Sequence, residues 1–182
     1  MSRRIPARLA IVVFTAASGA DVRNCACDPM KPETMQAREC GLCREADGQP
    51  EEPPVFFLKD INPRKPNRWL ALPRTHGPGG HPLDEMAPVE RARVWAAAIR
   101  KAKELWGDEW GVAYNAETVR TQCHGHLHIG KLLKQVEYGR PLTVSGPSRI
   151  PAPRGKGVWV HAVGKRLHAH IEDTITETVL MR

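Results

Sequence analysis

The run His124-Gly125-His126-Leu127-His128 constrains this chain more than any other stretch. Strict alternation over five residues has the period of a β-strand, in which successive side chains point to opposite faces. A strand here predicts that His124, His126 and His128 share one face, each roughly 7 Å from the next. Leu127 and Ile129 then point the other way, into a core. Neutral imidazole near pH 7 is both a nucleophile and a metal ligand. A single histidine on such a face reads as structure. Three in alternation, led in by Arg120-Thr121-Gln122, read as a site, with a metal-binding row as the competing chemistry.

The lead-in makes the pattern more specific. Asn115 is followed after four residues by Arg120-Thr121-Gln122, and after three more by His126-Leu127-His128-Ile129. His-x-His-x-His before apolar residues resembles the signature of the histidine triad (HIT) superfamily. The Asn…Arg-Thr-Gln…His-x-His-Ile spacing is similar to that of its CDP-diacylglycerol pyrophosphatase branch. Gly130 stands where that branch tends to have Ser, and the sequence downstream differs. The resemblance covers about residues 40 to 135 and leaves both ends of the chain unassigned.

The resemblance implies an enzyme that cleaves a nucleoside phosphate or pyrophosphate bond through a covalent histidine intermediate. His126 would attack phosphorus, with His128 and His124 orienting it or binding phosphate oxygens. Asn115, Arg120, Thr121, Gln122 and Lys131 are candidate donors to the transition-state charge. Arg120 is the expected clamp, since a guanidinium binds phosphate oxygens bidentately. Lys131 reads equally as a surface lysine. Cys123 falls on the face opposite the triad by period, so it is expected as a core thiol. The alternative is a zinc-stabilised HIT module that binds nucleotides without turnover.

Four of the five cysteines lie early, as Cys25-Ala26-Cys27 and Cys40-Gly41-Leu42-Cys43. Cys-x-x-Cys is a zinc-knuckle spacing, and an even set in an exported chain also suits disulfides. HIT proteins often open with such a pair, and His76 and His124 match zinc-ligand positions in zinc-bearing members. The resemblance therefore implies a structural zinc held by Cys40, Cys43, His76 and His124. The competing reading pairs Cys40 oxidatively with Cys25, Cys27 or Cys43. Cys25 and Cys27 form either a disulfide or a second metal site.

Met1 to Ala20 carries Arg3, Arg4 and Arg8, then an apolar run and a small-residue end, and is expected to be a signal segment. An exported location, periplasmic or extracellular, is expected, with a cytoplasmic one as the alternative. Residues 21–38 form a Cys-containing extension and 39–140 a HIT-like domain. Residues 141–182 form a C-terminal β extension. The net charge of +7 suits an anionic substrate, either a small nucleotide or a lipid nucleotide. Nothing resembles a nucleic-acid module, and a homodimer is the candidate assembly.

The predicted fold is α+β: a HIT-like antiparallel sheet with one long packed helix. Strands are expected at 55–59, 69–73, 110–115 and 124–130. Asp60, after the first of them, matches a ribose-contacting Asp of HIT domains, against the plain alternative of a turn cap. The helix is expected from Pro88 to Trp106, with Trp95, Ala98, Ile99, Ala102, Leu105 and Trp106 on its apolar face. A hairpin around Gly164-Lys165 is expected to carry His168 and His170 on an exposed face. Residues 172–182 are expected to pack on the sheet as a short strand or helix.

Overall fold

The structure is a computed structural model that describes residues 22–50, 52–74, 77–136 and 139–182. The expected signal segment and His76 lie outside the described residues.

The long helix, α2 (Pro88–Trp106), follows the loop predicted to precede it, with Pro88 in its first turn. Val94, Trp95, Ala98, Ile99 and Ala102 are buried along one stripe. Leu105, expected on that stripe, is 37% exposed, while Trp106 beside it is partly buried against the core. Gly107 takes φ 57°, a left-handed conformation that suits glycine, and its N–H closes on the Lys103 carbonyl at 2.9 Å.

Among the described residues, seven strands form one antiparallel sheet: β1 (Val55–Lys59), β2 (Trp69–Pro73), β3 (Trp110–Tyr114), β4 (Leu127–Lys131), β5 (Leu142–Val144), β6 (Gly157–Val163) and β7 (Arg166–Glu172). Their order is β1-β2-β4-β3-β6-β7-β5, so the fold class is mixed α+β. One face packs on α2 through Ala71, Val112, Tyr114, Leu127, Ile129, Val158, Val160, Leu167 and Ala169. The opposite face carries a row fixed by register: Leu70 against His128, His128 against Ala113, Ala113 against Trp159, Trp159 against His170. The candidate site residue His128 lies on this second face.

Two expectations change. The strand begins at Leu127, so His124 and His126 belong to the segment leading into β4, and only His128 sits in the ladder. The backbone there is held otherwise: the Gly125 N–H donates to the Gly80 carbonyl and the Cys123 N–H to that of Glu39. The β6–β7 hairpin turns at Gly164-Lys165 as expected, with Gly164 at φ 57°, but His170 on it is buried rather than exposed.

The tail forms a short 3₁₀ turn, Thr176–Val179, laid over the second face. Leu132 bridges to Leu180, and the Met181 N–H donates to the Lys131 carbonyl at 2.7 Å. Glycine makes this possible. A Cβ on Gly130 would stand 3.0 Å from Arg68 Cδ and 3.1 Å from Leu180 Cβ, and one on Gly111 would stand 2.5 Å from Leu180 Cδ2.

Candidate active site

His126 is buried, and its Nδ1 lies 2.8 Å from the His124 carbonyl oxygen. A carbonyl can only accept, so Nδ1 carries the proton and Nε2 keeps its lone pair. Burial lowers the His126 pKa below the usual 6.5, and the Arg120 charge adds to this. The backbone bond to His124, with Glu177 and Asp60, opposes it. The ring is therefore a neutral imidazole of fixed tautomer.

His128 meets His126 edge to face, ring centres 4.9 Å apart. Its Nε2 lies 3.3 Å from Asn115 Nδ2, and its Nδ1 lies 3.2 Å from Glu177 Oε2, an ion-pair distance rather than an aligned hydrogen bond. The orientation of the Asn115 amide is set independently. Its Oδ1 accepts from the Glu177 N–H at 3.0 Å and from the Thr176 hydroxyl at 3.3 Å, which leaves Nδ2 as the donor. His128 thus accepts at Nε2 and turns Nδ1–H towards the Glu177 carboxylate. Burial pushes the His128 pKa down to about 3, against the pull of Glu177.

Glu177 was not legible as a site residue. Burial would raise its carboxyl, but His128, Lys65 and Arg68 outweigh this and hold it at about 2. Lys65 Nζ lies 2.7 Å and Arg68 Nη1 3.1 Å from Glu177 Oε2. Arg68 is itself buried and binds the tail backbone: Nε to the Met181 carbonyl at 2.6 Å, Nη2 to those of Glu177 at 2.9 Å and Leu180. The signal that could have found this pair is a charged residue at the head of an apolar strand, Arg68-Trp69-Leu70-Ala71-Leu72. A cavity of about 620 Å³ opens beside it, lined by Lys65, Arg68, Arg182 and Glu177 among others. That size lies within the range of small-molecule pockets.

Arg120 is buried, and its Nη1 donates to the Tyr114 hydroxyl, whose pKa burial raises to about 12. The guanidinium carbon stands 4.9 Å from the centre of the Tyr114 ring. Arg120 Nε is buried and meets no acceptor among the described residues. An ordered water or a ligand oxygen would satisfy such a donor.

Of the other sequence candidates, Asp60 Oδ1 caps the following turn by accepting from the Asn62 N–H at 2.9 Å. A carboxylate oxygen of Asp60 nevertheless lies within 4.8 Å of the ligand atoms of His128 and Glu177, a group that could hold a metal ion. Three candidates are placed elsewhere. Gln122 is used up in tying down the N-terminal segment: its Oε1 accepts from the Leu42 N–H and its Nε2 donates to the Arg38 carbonyl, both at 3.0 Å. Thr121 is exposed. Lys131 alternates with Leu127 and Ile129 onto the face away from His128 and pairs with Glu109 at 2.7 Å.

Of the expected zinc ligands, His76 lies outside the described residues and Cys40 is engaged otherwise. Cys40 is joined to Cys27, and Cys25 to Cys123, in two disulfides. The Cys40 thiolate a zinc would need is consumed. Cys43 keeps a buried thiol whose pKa burial raises to about 12, which disfavours the thiolate. His124 Nε2 donates to the Pro73 carbonyl oxygen at 2.8 Å, which makes Nδ1 the lone-pair nitrogen of that ring. Cys123, expected as a core thiol, instead anchors the triad segment to the N-terminal extension. The period argument failed there because residue 123 lies outside the strand. Two disulfides suit an oxidising compartment. No described helix is long and apolar enough to cross a membrane.

No protein-family description and no curated protein sequence matches this chain.

Proposed function

We propose that the chain is a HIT-like enzyme that transfers a phosphoryl or nucleotidyl group through His126. The observation that carries this reading is the His126 ring: buried, held neutral, and with Nδ1 tied to the His124 carbonyl so that Nε2 is the free nucleophile. Nε2 attacks phosphorus, an N–P bond forms, and the P–O bond to the leaving group breaks. The leaving oxygen departs with the bonding electrons and takes up a proton. Water then attacks the phosphohistidine, returns the electron pair to Nε2 and releases the phosphate product. Splitting one displacement into two in this way is the benefit of a covalent nucleophile.

His128, oriented by Glu177 and Asn115, is the adjacent hydrogen-bonding ring, and the unmet Arg120 Nε is the candidate donor to a phosphate oxygen. The substrate class is a nucleoside diphosphate ester, small or lipid-linked. A net charge of +7 supports an anionic substrate. We read the location as exported, on the strength of the two disulfides. The rival reading, a zinc-stabilised binding module without turnover, loses its zinc support at Cys40.

The test is hydrolysis of a panel of dinucleotides, nucleotide sugars and CDP-diacylglycerol by the wild type and His126→Ala. Wild-type turnover of at least one substrate, reduced by orders of magnitude in the variant, is the expected outcome. Binding without turnover in the wild type would favour the module. Near-normal turnover by His126→Ala would remove His126 as nucleophile.

A further inference from the structure

The β6–β7 hairpin gathers a second set of imidazoles that the proposed reaction does not use. The register sets His161 directly opposite His168 and Trp159 directly opposite His170. Directly opposed residues hold their Cβ atoms about 5 Å apart, and residues two apart on one strand are about 7 Å apart. All three histidines therefore share one face within reach of a common point. Their ligand nitrogens lie within 4.8 Å of one another.

We propose that His161, His168 and His170 bind a divalent transition-metal ion of the zinc class. The His161 and His170 Nε2 atoms are 3.3 Å apart. Two nitrogens on a tetrahedral ion at 2.0–2.1 Å stand about 3.3–3.4 Å from each other. A hydrogen bond between two rings would give the same spacing. The third imidazole, brought to the same point, is what a metal needs and a hydrogen bond does not. Three imidazoles suit zinc, copper or nickel, whereas magnesium and calcium favour oxygen ligands.

The shell around the rings is built. Trp159 stacks on His170, centres 3.7 Å apart and planes within 6°, which fixes that ring's plane. The indole Nε1 donates to Glu172 Oε1 at 2.7 Å, which fixes the Trp. His161 and His170 are buried, and His168 is half-buried, so an ion can enter past His168. With three ligands among the described residues, a fourth donor completes the tetrahedron. The register row from His128 through Ala113 and Trp159 to His170 puts this site three strands from the triad, about 14 Å away on the same face.

The experiment uses the untagged full chain with its disulfides intact, stripped with chelator and titrated with Zn²⁺ and Co²⁺. The wild type should bind one equivalent, with the visible absorption of tetrahedral Co²⁺. His168→Ala should weaken binding by about 100-fold or more, beyond what loss of a supporting contact causes. X-ray absorption of the zinc-loaded wild type, which depends on no variant, should show nitrogen neighbours at about 2.0–2.1 Å and no sulfur. Failure to bind stoichiometrically, or sulfur ligation, would overturn the proposal. So would binding that survives His168→Ala and disappears in His128→Ala, which would move the ion to the Asp60, His128 and Glu177 group.

Discussion

At the scale of single residues, the proposed catalysis rests on keeping two adjacent imidazoles neutral while a carboxylate beside them stays ionised. Lys65 and Arg68 balance Glu177, and burial does the rest. Glu177→Gln keeps the shape and removes the charge that orients His128. Turnover should fall about 100-fold, the scale of a lost acid–base partner, with the fold retained. A far smaller fall would make Glu177 structural only. The pH profile carries a second expectation. A histidine normally protonates near pH 6.5, but the His126 pKa is lowered, so it stays neutral to lower pH. The acid limb of kcat/KM should therefore lie below pH 6.5. An acid limb at or above that value would mean that the nucleophile is not held in this buried state.

At the scale of elements, the tail is the part that completes the site. Arg68 holds the 3₁₀ turn by its carbonyls, and the turn delivers Glu177 to His128. Gly130 gives Arg68 and Leu180 room to cross β4. Gly130→Ala should destabilise the chain by about 1–3 kcal/mol through overpacking, read by denaturant unfolding. It should also speed amide exchange at Met181. No change in either would mean that the tail is not clamped there. The Gly130 departure from the resembling branch thus has a packing reason in this chain. The long helix and the strands at 55–59, 69–73 and 110–114 were legible because periodicity and proline or glycine punctuation are local signals. The start of β4 was not, since the alternation of histidines mimics a strand where loop contacts to Gly80 and Glu39 decide the backbone. The pairing of Glu177 with Arg68 was hidden for a different reason. They meet across 109 positions: Arg68 heads an apolar strand, a local sign of a buried charge, but nothing local marks Glu177 as its distant partner.

At the scale of the molecule, two disulfides replace the expected metal staple. Cys25–Cys123 spans 98 positions and ties the N-terminal extension to the residue before the triad, while Cys27–Cys40 closes a shorter loop. Reducing both should lower stability by about 2–5 kcal/mol, measured by unfolding with and without reductant. Equal stability in both states would place the extension outside the cooperative fold. Acid should destabilise the chain as well. His128 falls from 6.5 to about 3 in the fold and Glu177 from 4.5 to about 2. The His128 contribution is full above about pH 6.5 and is lost as pH falls towards about 3, and that of Glu177 is full above about pH 4.5 and is lost towards about 2. The most direct test of the whole account is a single-turnover incubation with a nucleoside diphosphate ester labelled on the attacked phosphorus, quenched in base. The account expects an acid-labile, base-stable label that maps to His126 and is absent from His126→Ala. Turnover with no such label in the wild type, or a label on another residue, would contradict it.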